Sequence, residues 1–454
     1  LRSRRSRSRG FIGAAAAVAL VPLLTTPAQA AVANVTVDFG AVVRPVPRDT
    51  FSADITGYGY DSYITNDPQH RAMLAGRYGS LRMQLVYATP GDPTSAIVAG
   101  GDGADRKVAG DAWVTAIKDL GAEPVLIVPE NATDAANLVR HFNLGGNRVG
   151  RWIIGNEPNA KPDGSPAAYG ARFNAVYDAM KAVDPAISVG GPAVGDPNMA
   201  WIRDFLAVSG SRTDFVDFHK YGAGEHAACD STLLAETAQW STDVAAVRDI
   251  IASVVPSRAD RIGIQIGETN SDWGVHPNPA GCDNIGTEPV QYRNAAIWWS
   301  ASVFGRLAEA GARGYVYGDK NGALGLLYDQ PNTNGAGRNE RMPVYQGVGF
   351  FTGQEGTALA HFGSSLVRSS TTLGNNVEVY ASANPKVVVI VNKGTTPHNA
   401  VIGVGSGLTQ AAVHQKDGNT VSYAKPTNLG TVAVSAGQVS VALPGPSVTQ
   451  LVLS

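Results

Sequence analysis

Between residues 50 and 320, eight short apolar runs alternate with helix-like segments, and this rhythm limits what the chain can fold into. The runs lie at 51–57, 80–87, 124–129, 151–156, 187–192, 215–221, 261–268 and 313–319. Parallel βα units give such an alternation. Several runs, such as Pro124-Val125-Leu126-Ile127-Val128, carry little polar interruption, as expected of strands covered on both faces. Eight of them predict an α/β chain closed into a (β/α)8 TIM barrel. The clearest helix follows the fourth run, where Tyr169, Phe173, Val176, Tyr177, Met180 and Val183 recur at helical spacing and Asp184-Pro185 ends the pattern. Packing against the barrel explains that stripe, and it carries no chemistry.

The pattern changes on either side of this region. A helix over 343–351 completes the barrel, and from Gly356 onward only strand-like runs remain, at 376–382, 386–392, 431–435, 438–443 and 447–453. Gly, Pro and Asn turns separate them, which reads as a C-terminal antiparallel β-sandwich. The strand-like run 34–39 precedes a linker through Pro45 and Pro47, and is a candidate extra strand for that sandwich. The expected organisation is therefore 31–48 as N-terminal strand and linker, 49–353 as barrel and 354–454 as sandwich. Residues 1–30 read as a signal peptide: five arginines among the first nine residues, an apolar run over 11–24, and small residues Ala28 and Ala30 before Ala31. That run is shorter than the roughly 20 residues a membrane span needs, and Pro22 interrupts it. A secreted, extracellular protein without a membrane partner after signal removal is expected, exported by the general or, through Arg4-Arg5, the twin-arginine route.

Charge and cysteine usage narrow the function. The net charge is −2, and beyond the N-terminus no basic cluster provides the footprint that nucleic acid requires. A neutral substrate is the simpler expectation. In an oxidising compartment Cys229 and Cys282 either pair or remain two thiols; a disulfide closing about fifty residues would contribute on the order of 3–4 kcal/mol. His219, His226 and Cys229 match no strong zinc spacing, so neither metal nor other cofactor is expected. Oligomeric state is not legible.

Two carboxylates carry the chemistry. Glu157 ends the fourth run in Trp152-Ile153-Ile154-Gly155-Asn156-Glu157-Pro158-Asn159, and Glu268 ends the seventh in Ile264-Gln265-Ile266-Gly267-Glu268-Thr269-Asn270. Strand ends at the C-terminal face of a barrel form its open mouth, and a carboxylate there bears a desolvation cost that function can justify. The fourth and seventh strands oppose each other across an eight-stranded ring, with room for a sugar between them. A retaining glycosidase needs this arrangement, with carboxyls about 5–5.5 Å apart. In the plainer alternative, both glutamates merely pair with Arg82 or Lys320.

The Asn156-Glu157-Pro158 motif, with a second glutamate on strand seven, resembles clan A of the glycoside hydrolases. The run Val183 through Ala193, Trp201-Ile202, Phe205-Leu206, Asp214 through Tyr221 and Gly325-Leu326-Leu327 together look most like family 39, a family of β-xylosidases, α-iduronidases and some arabinosidases and endo-glycosidases. The resemblance covers about residues 80 to 330. It implies that Glu157 is the acid/base, Glu268 the nucleophile, and Asn156 the holder of the sugar 2-hydroxyl. It further implies that Arg82 and Tyr221 hydrogen-bond the nucleophile and that His219 lines the sugar site, although such strand-end residues also serve purely structural ends. Around the nucleophile, Gly267-Glu268-Thr269-Asn270-Ser271 is more similar to family 79, the β-glucuronidase and heparanase group. Where clan members often place tryptophan on strand eight, this chain has Tyr315-Val316-Tyr317-Gly318-Asp319-Lys320, so Tyr317 could serve as the sugar platform. Lys320 either engages a substrate carboxylate or is a solvated loop residue. Trp273 and His276 either wall a subsite or pack their loop down beside Cys282. The expected enzyme is a secreted retaining hydrolase of polysaccharide; a family 79-like β-glucuronidase and a non-catalytic carbohydrate-binding protein are the rivals.

Overall fold

The computed structural model describes residues 32–55, 63–98, 108–223, 229–274, 276–277, 279, 281–282, 288–318 and 322–454. The expected signal peptide, His226 and Lys320 lie outside them. Strand β1 (Val35–Pro45) comes first and is followed by β2 (Phe51–Asp54), β3 (Ser80–Tyr87) and β4 (Ala96–Val98). Strands β5 (Glu123–Val128), β6 (Arg151–Ile154), β7 (Ser188–Val194), β8 (Phe215–His219), β9 (Gly263–Thr269) and β10 (Arg313–Tyr317) complete the α/β region. Eight of these run parallel, and β2 pairs with both β3 and β10, closing the barrel. Each of the eight apolar runs overlaps one barrel strand, with β5, β7 and β9 extending one or two residues beyond theirs. The short β4, which pairs antiparallel with β3, was not visible in the pattern.

Side-chain alternation sorts each strand between two layers. Val125, Ile127, Ile153, Phe215 and Tyr315 fill the barrel interior, while Leu126, Val128, Trp152, Ile154, Val216 and Phe218 belong to the larger core under the helices. The helix Pro166–Val183 buries Tyr169, Phe173, Val176 and Met180 there, and the Ser165 hydroxyl caps its start by accepting from the Ala168 N–H.

The C-terminal residues form β11 (Ser365–Thr371), β12 (Val377–Ala383), β13 (Val387–Asn392), β14 (His398–Gly403), β15 (Gln410–Asp417), β16 (Thr427–Ala433), β17 (Gln438–Leu443) and β18 (Ser447–Leu453). With β1 they make one nine-stranded sheet, in the order β16-β15-β18-β13-β12-β11-β1-β14-β17. The sheet curls over itself, since Val35, Ile402 and Val439 share one apolar cluster with Val388, Val413 and Leu451. This is the two-layered β-sandwich, and β1 joins it as the N-terminal run suggested. Three of its strands, β11, β14 and β15, were not picked out from the sequence, and β1 extends through Pro45, which had been read as linker.

The sandwich is bonded to the barrel through the helix Ala295–Ala310. Glu378 on β12 accepts from the Ser302 hydroxyl and from Arg306 and pairs with Lys393 at 2.6 Å. Gly305 is required at this crossing, because a Cβ there would lie 2.2 Å from the Tyr380 ring. Cys229 and Cys282 form a disulfide that ties the loop after β8 to the loop after β9. Among the described residues, no helix is long and apolar enough to cross a membrane.

Candidate active site

The C-terminal strand ends converge on a cleft of about 580 Å3 lined by Glu157, Tyr221, Glu268, Trp273 and Tyr317, among others. Backbone irregularities aim both glutamates. Glu157 follows β6 and sits in the left-handed region at φ 46°, ψ 53°, with its N–H bonded to the Ala193 carbonyl at 2.9 Å. A side chain other than glycine in that region stores on the order of 1–3 kcal/mol, and such strain persists where surrounding structure imposes it. Gly155, at φ 71°, prepares the turn; a Cβ there would meet the Glu130 carboxyl at 2.6 Å.

Glu268 depends on a bulge. In β9, Ile264 and Ile266 face the outer core, so simple alternation would send Glu268 outward with them. Against β8 the register runs Phe218 to Ile266 and then His219 to Glu268, leaving Gly267 as the extra residue. That insertion reverses the parity and turns Glu268 into the mouth. Only glycine fits at the bulge, because a Cβ would lie 2.4 Å from Asp217 Oδ1.

A single arginine organises the site. Arg82, fully buried on β3, donates through Nη1 to Glu268 Oε1 at 2.8 Å and to Asp54 at the end of β2. Through Nη2 it donates to Asn156 Oδ1 at 2.8 Å and to His219 Nε2 at 3.1 Å. An Arg82 N–H aimed at Nε2 requires that nitrogen to accept, so in this bonding pattern the ring is neutral and its Nδ1–H donates to Glu157 Oε1 at 2.9 Å. Protonating the ring, which the two carboxylates favour, gives up the Arg82 bond. Tyr221 donates to Glu268 Oε2 at 2.8 Å. Arg82, Asn156, Glu157, His219, Tyr221 and Glu268 thus form one bonded network. Tyr317 meets the Tyr221 ring edge-on at 6.3 Å, and Trp273, 49% exposed, stands over the cleft with its ring edge-on to His276.

The electrostatics follow from this network. Burial by itself would raise the Glu268 carboxyl, but His219, the Arg82 guanidinium and the Tyr221 hydroxyl together hold it below its usual 4.5. Burial and the neighbouring Glu268 carboxylate push the Tyr221 hydroxyl well up, so it stays a donor. Burial disfavours an imidazolium at His219, while Glu268 and the bond to Glu157 favour it more, with a net upward shift. Two acids in the cluster were overlooked in the sequence, Asp54 and Asp217. Asp217 is fully buried on β8 two residues before His219, and burial raises its carboxyl despite Arg82 and His219. Their signal was present: each interrupts an apolar run at the inward parity.

Glu157, His219 and Glu268 place oxygen and nitrogen atoms within 4.8 Å of one another. Both His219 nitrogens are already engaged and Arg82 already compensates Glu268, so this donor set does not suit a cation.

Comparison with known proteins places the chain. Residues 134–284 match the family described as Glycosyl hydrolases family 39, in keeping with the motifs on strands four to seven. A β-xylosidase of Geobacillus stearothermophilus is 35% identical over 94 residues, 18% of this chain and 19% of that protein. The chain therefore spans about a fifth of the curated relative's length in this match. Among solved structures, an arabinofuranosidase superposes with a TM-score of 0.68 at 15% identity, covering 93% of this chain and all of that one. A thermostable family 51 α-L-arabinofuranosidase of Thermotoga petrophila gives 0.68 at 16% identity over 92% and 99% of the two chains. The family 44 endoglucanase Cel44A of Clostridium thermocellum gives 0.65 at 14% identity over 93% and 99%. At these identities the superpositions bear on the fold, a TIM barrel carrying a β domain.

Proposed function

We propose, from the family 39 match over residues 134–284, that this chain is a retaining glycoside hydrolase in which Glu157 is the acid/base and Glu268 the nucleophile. The observation that carries the reading is that the two carboxylates face each other in one cleft, with an oxygen of each, at closest approach, within 4.8 Å. Retention uses a separation of about 5–5.5 Å, whereas inversion needs about 6.5–9.5 Å to admit a water. Protonated Glu157 gives its proton to the leaving glycosidic oxygen while Glu268 attacks the anomeric carbon, forming a glycosyl ester as the C–O bond breaks. Glu157, now ionised, takes a proton from water as that water attacks the same carbon and releases Glu268. The Glu157 side chain is 38% exposed toward the cleft, as a group that exchanges protons with substrate and water requires. Asn156 gives its Oδ1 to Arg82 and keeps its Nδ2 for the sugar 2-hydroxyl, a contact that strengthens toward the oxocarbenium-like state.

The substrate class is the neutral bond of a plant or microbial polysaccharide, xylosidic or arabinosidic first. Lys220 lines the cleft, but its ammonium pairs with Asp243 at 2.7 Å and lies over the Trp240 ring, so it is committed elsewhere. That arrangement withholds Lys220 from a uronic acid carboxylate. Hydrolysis of aryl glucuronide in preference to aryl xyloside and arabinoside would move the assignment to the family 79-like β-glucuronidase. The disulfide suits an oxidising compartment, and we place the protein outside the cell.

Glu268→Gly is the decisive variant. Hydrolysis should fall by roughly 10^5-fold, and azide should restore turnover with a glycosyl azide of inverted configuration. A retained azide product from this variant would exchange the two roles.

A further inference from the structure

A second cavity, of about 670 Å3, opens where the barrel meets the sandwich. Its barrel wall comes from the helix Asp230–Ala235, which follows β8, and from the start of the helix Ala295–Ala310, which follows β9. Helices that follow parallel strands begin near the C-terminal ends of those strands, so this wall stands on the catalytic side of the barrel. The same two βα connections supply Tyr221 and Trp273 to the cleft and carry the disulfide between them. The facing wall is the loop between β15 and β16.

The cavity is preformed. Lys416, buried on β15, donates to Thr420 Oγ1, the Val421 carbonyl and the Ala424 carbonyl at 2.7, 2.7 and 3.1 Å, holding the loop in shape. Asn294 donates to the Thr420 carbonyl at 3.0 Å, and the Ser422 hydroxyl donates to the Tyr292 carbonyl at 2.6 Å, fixing the loop to the barrel. Three aromatic side chains, Tyr292, Trp298 and Tyr423, line the space, and Tyr292 is backed by a stacked Tyr328 at 5.7 Å. Asp230, Glu288, Arg293 and Lys393 supply equal numbers of acidic and basic groups to the lining, and Glu288 lies near Arg293 and bonds Asn334. Arg293 pairs with Asp230 at 2.5 Å, and Lys393 pairs with Glu378 at 2.6 Å. An aromatic cavity with polar, charge-balanced walls suits a ligand with apolar faces and many hydroxyls and no net charge.

We propose that this interdomain cavity binds a segment of neutral oligosaccharide, a glycan site separate from the catalytic cleft. The cavity is a physical feature in its own right, while the choice of a glycan as occupant rests on reading the mouth as a glycosidase. A chain held here lies beside the mouth, so its effect is on polymer capture and not on bond cleavage.

The test uses the full-length protein in native affinity electrophoresis through gels containing arabinoxylan, arabinan or xyloglucan, with Glu268→Gln as parent so that no gel is digested. Val421, 51% exposed at the rim, is replaced by Arg to block the opening without disturbing the core, and Tyr423→Ala removes an aromatic wall. The parent should be retarded by at least one polysaccharide, and each variant should lose roughly three- to tenfold in that retention, the scale of one aromatic contact. In the active background Val421→Arg should leave kcat/KM on aryl glycosides unchanged while KM on the polysaccharide rises by the same factor. Retention equal in parent and Val421→Arg, or no retention of the parent in any gel, overturns the proposal. Inactivity of the wild type on every aryl glycoside and polysaccharide overturns the glycosidase reading instead, which keeps the two failures distinct.

Discussion

The two ends of the barrel hold inverse charge clusters. At the N-terminal end one carboxylate lies between two guanidiniums: Asp49 Oδ2 accepts from Arg151 at 2.7 Å and from Arg313 at 2.6 Å, and Arg151 also reaches the Tyr315 hydroxyl. At the mouth one guanidinium lies between carboxylates, with Arg82 bonded to Asp54 and Glu268 and with Asp217 close enough to feel its charge. Both clusters reach across the ring between strands that are not neighbours in the backbone ladder, β6 and β10 below, β3 and β9 above. The difference is in the surplus. The lower cluster has an excess of positive charge, whereas the mouth has an excess of negative charge where the proposed mechanism develops an oxocarbenium-like carbon. Arginine at the mouth therefore has to keep Glu268 ionised without neutralising the site as a whole.

The sharpest way to break this contrast is Arg82→Met. It leaves Asp54 and Glu268 buried without their cation, so stability should drop by about 3–5 kcal/mol and kcat by roughly 10^3-fold or more. Asn156 and His219 lose their donor as well, and the tautomer that presents Nδ1–H to Glu157 is no longer enforced. Urea unfolding and aryl-glycoside kinetics read the two losses separately. A variant that lost stability alone would show that the mouth arginine is only a strut.

Asp49→Asn is the counterpart at the other end. Arg313 and Arg151 hold the Asp49 carboxyl below its usual value against burial. Its stabilisation is therefore present above the unfolded pKa and is lost as pH falls through the lower folded value. The variant should cost about 2 kcal/mol at neutral pH, discounted for partial exposure of all three side chains, with kcat changed less than about twofold. An effect on kcat comparable with that of Arg82→Met would mean that the lower cluster also tunes the mouth.

Acid separates the mouth from a buried group outside both clusters. Burial holds His70, on the helix Pro68–Leu74, down at about 4, from 6.5. The unfolded chain binds this proton at higher pH than the folded one, so folding stability falls as pH drops from 6.5 toward 4, by about 3 kcal/mol for this group. The Glu268 carboxyl is held below its usual value by His219, Arg82 and Tyr221, groups that His70 is not among. His70→Gln should therefore flatten the stability profile between pH 6.5 and 4 while leaving the acid limb of kcat/KM in place. A shift of that limb in the variant would tie His70 to the mouth.

The same contrast shows what could be read in advance. The eight strands were legible because each apolar run is bounded by turns, and Glu157 and Glu268 stood out as acids at the ends of such runs. The bulge at Gly267 was not legible. Counting alternation from Ile264 and Ile266 sends Glu268 to the wrong face, and only the paired register with β8 corrects it. Asp54 and Asp217 interrupt their apolar runs at the inward parity, but what they do there shows only once Arg82 is placed opposite them. In the sandwich, β14 and β15 escaped notice because His398, Asn399, His414, Gln415 and Lys416 break the hydrophobic alternation, although the last three are buried by their neighbours. Lys320 lies outside the described residues, and its two readings stay as the sequence left them.

The smallest expected effect falls at the edge of the mouth, where shape matters more than charge. Trp273 lines the cleft but is half-exposed and bonded to nothing in the Arg82 network. Its partner His276 is fixed by Asp272 at 2.9 Å, which orients the indole from behind. If that ring walls a subsite, Trp273→Ala should raise KM for an oligosaccharide by roughly three- to tenfold, the value of one aromatic face against a sugar. The kcat should stay the same, because the mechanism proposed above assigns the reacting carbon to Asn156 and the two glutamates. An aryl monosaccharide that does not reach the subsite should show no change in either constant. Equal KM increases on both substrates would show instead that Trp273 packs its loop, and that losing it loosens the mouth as a whole.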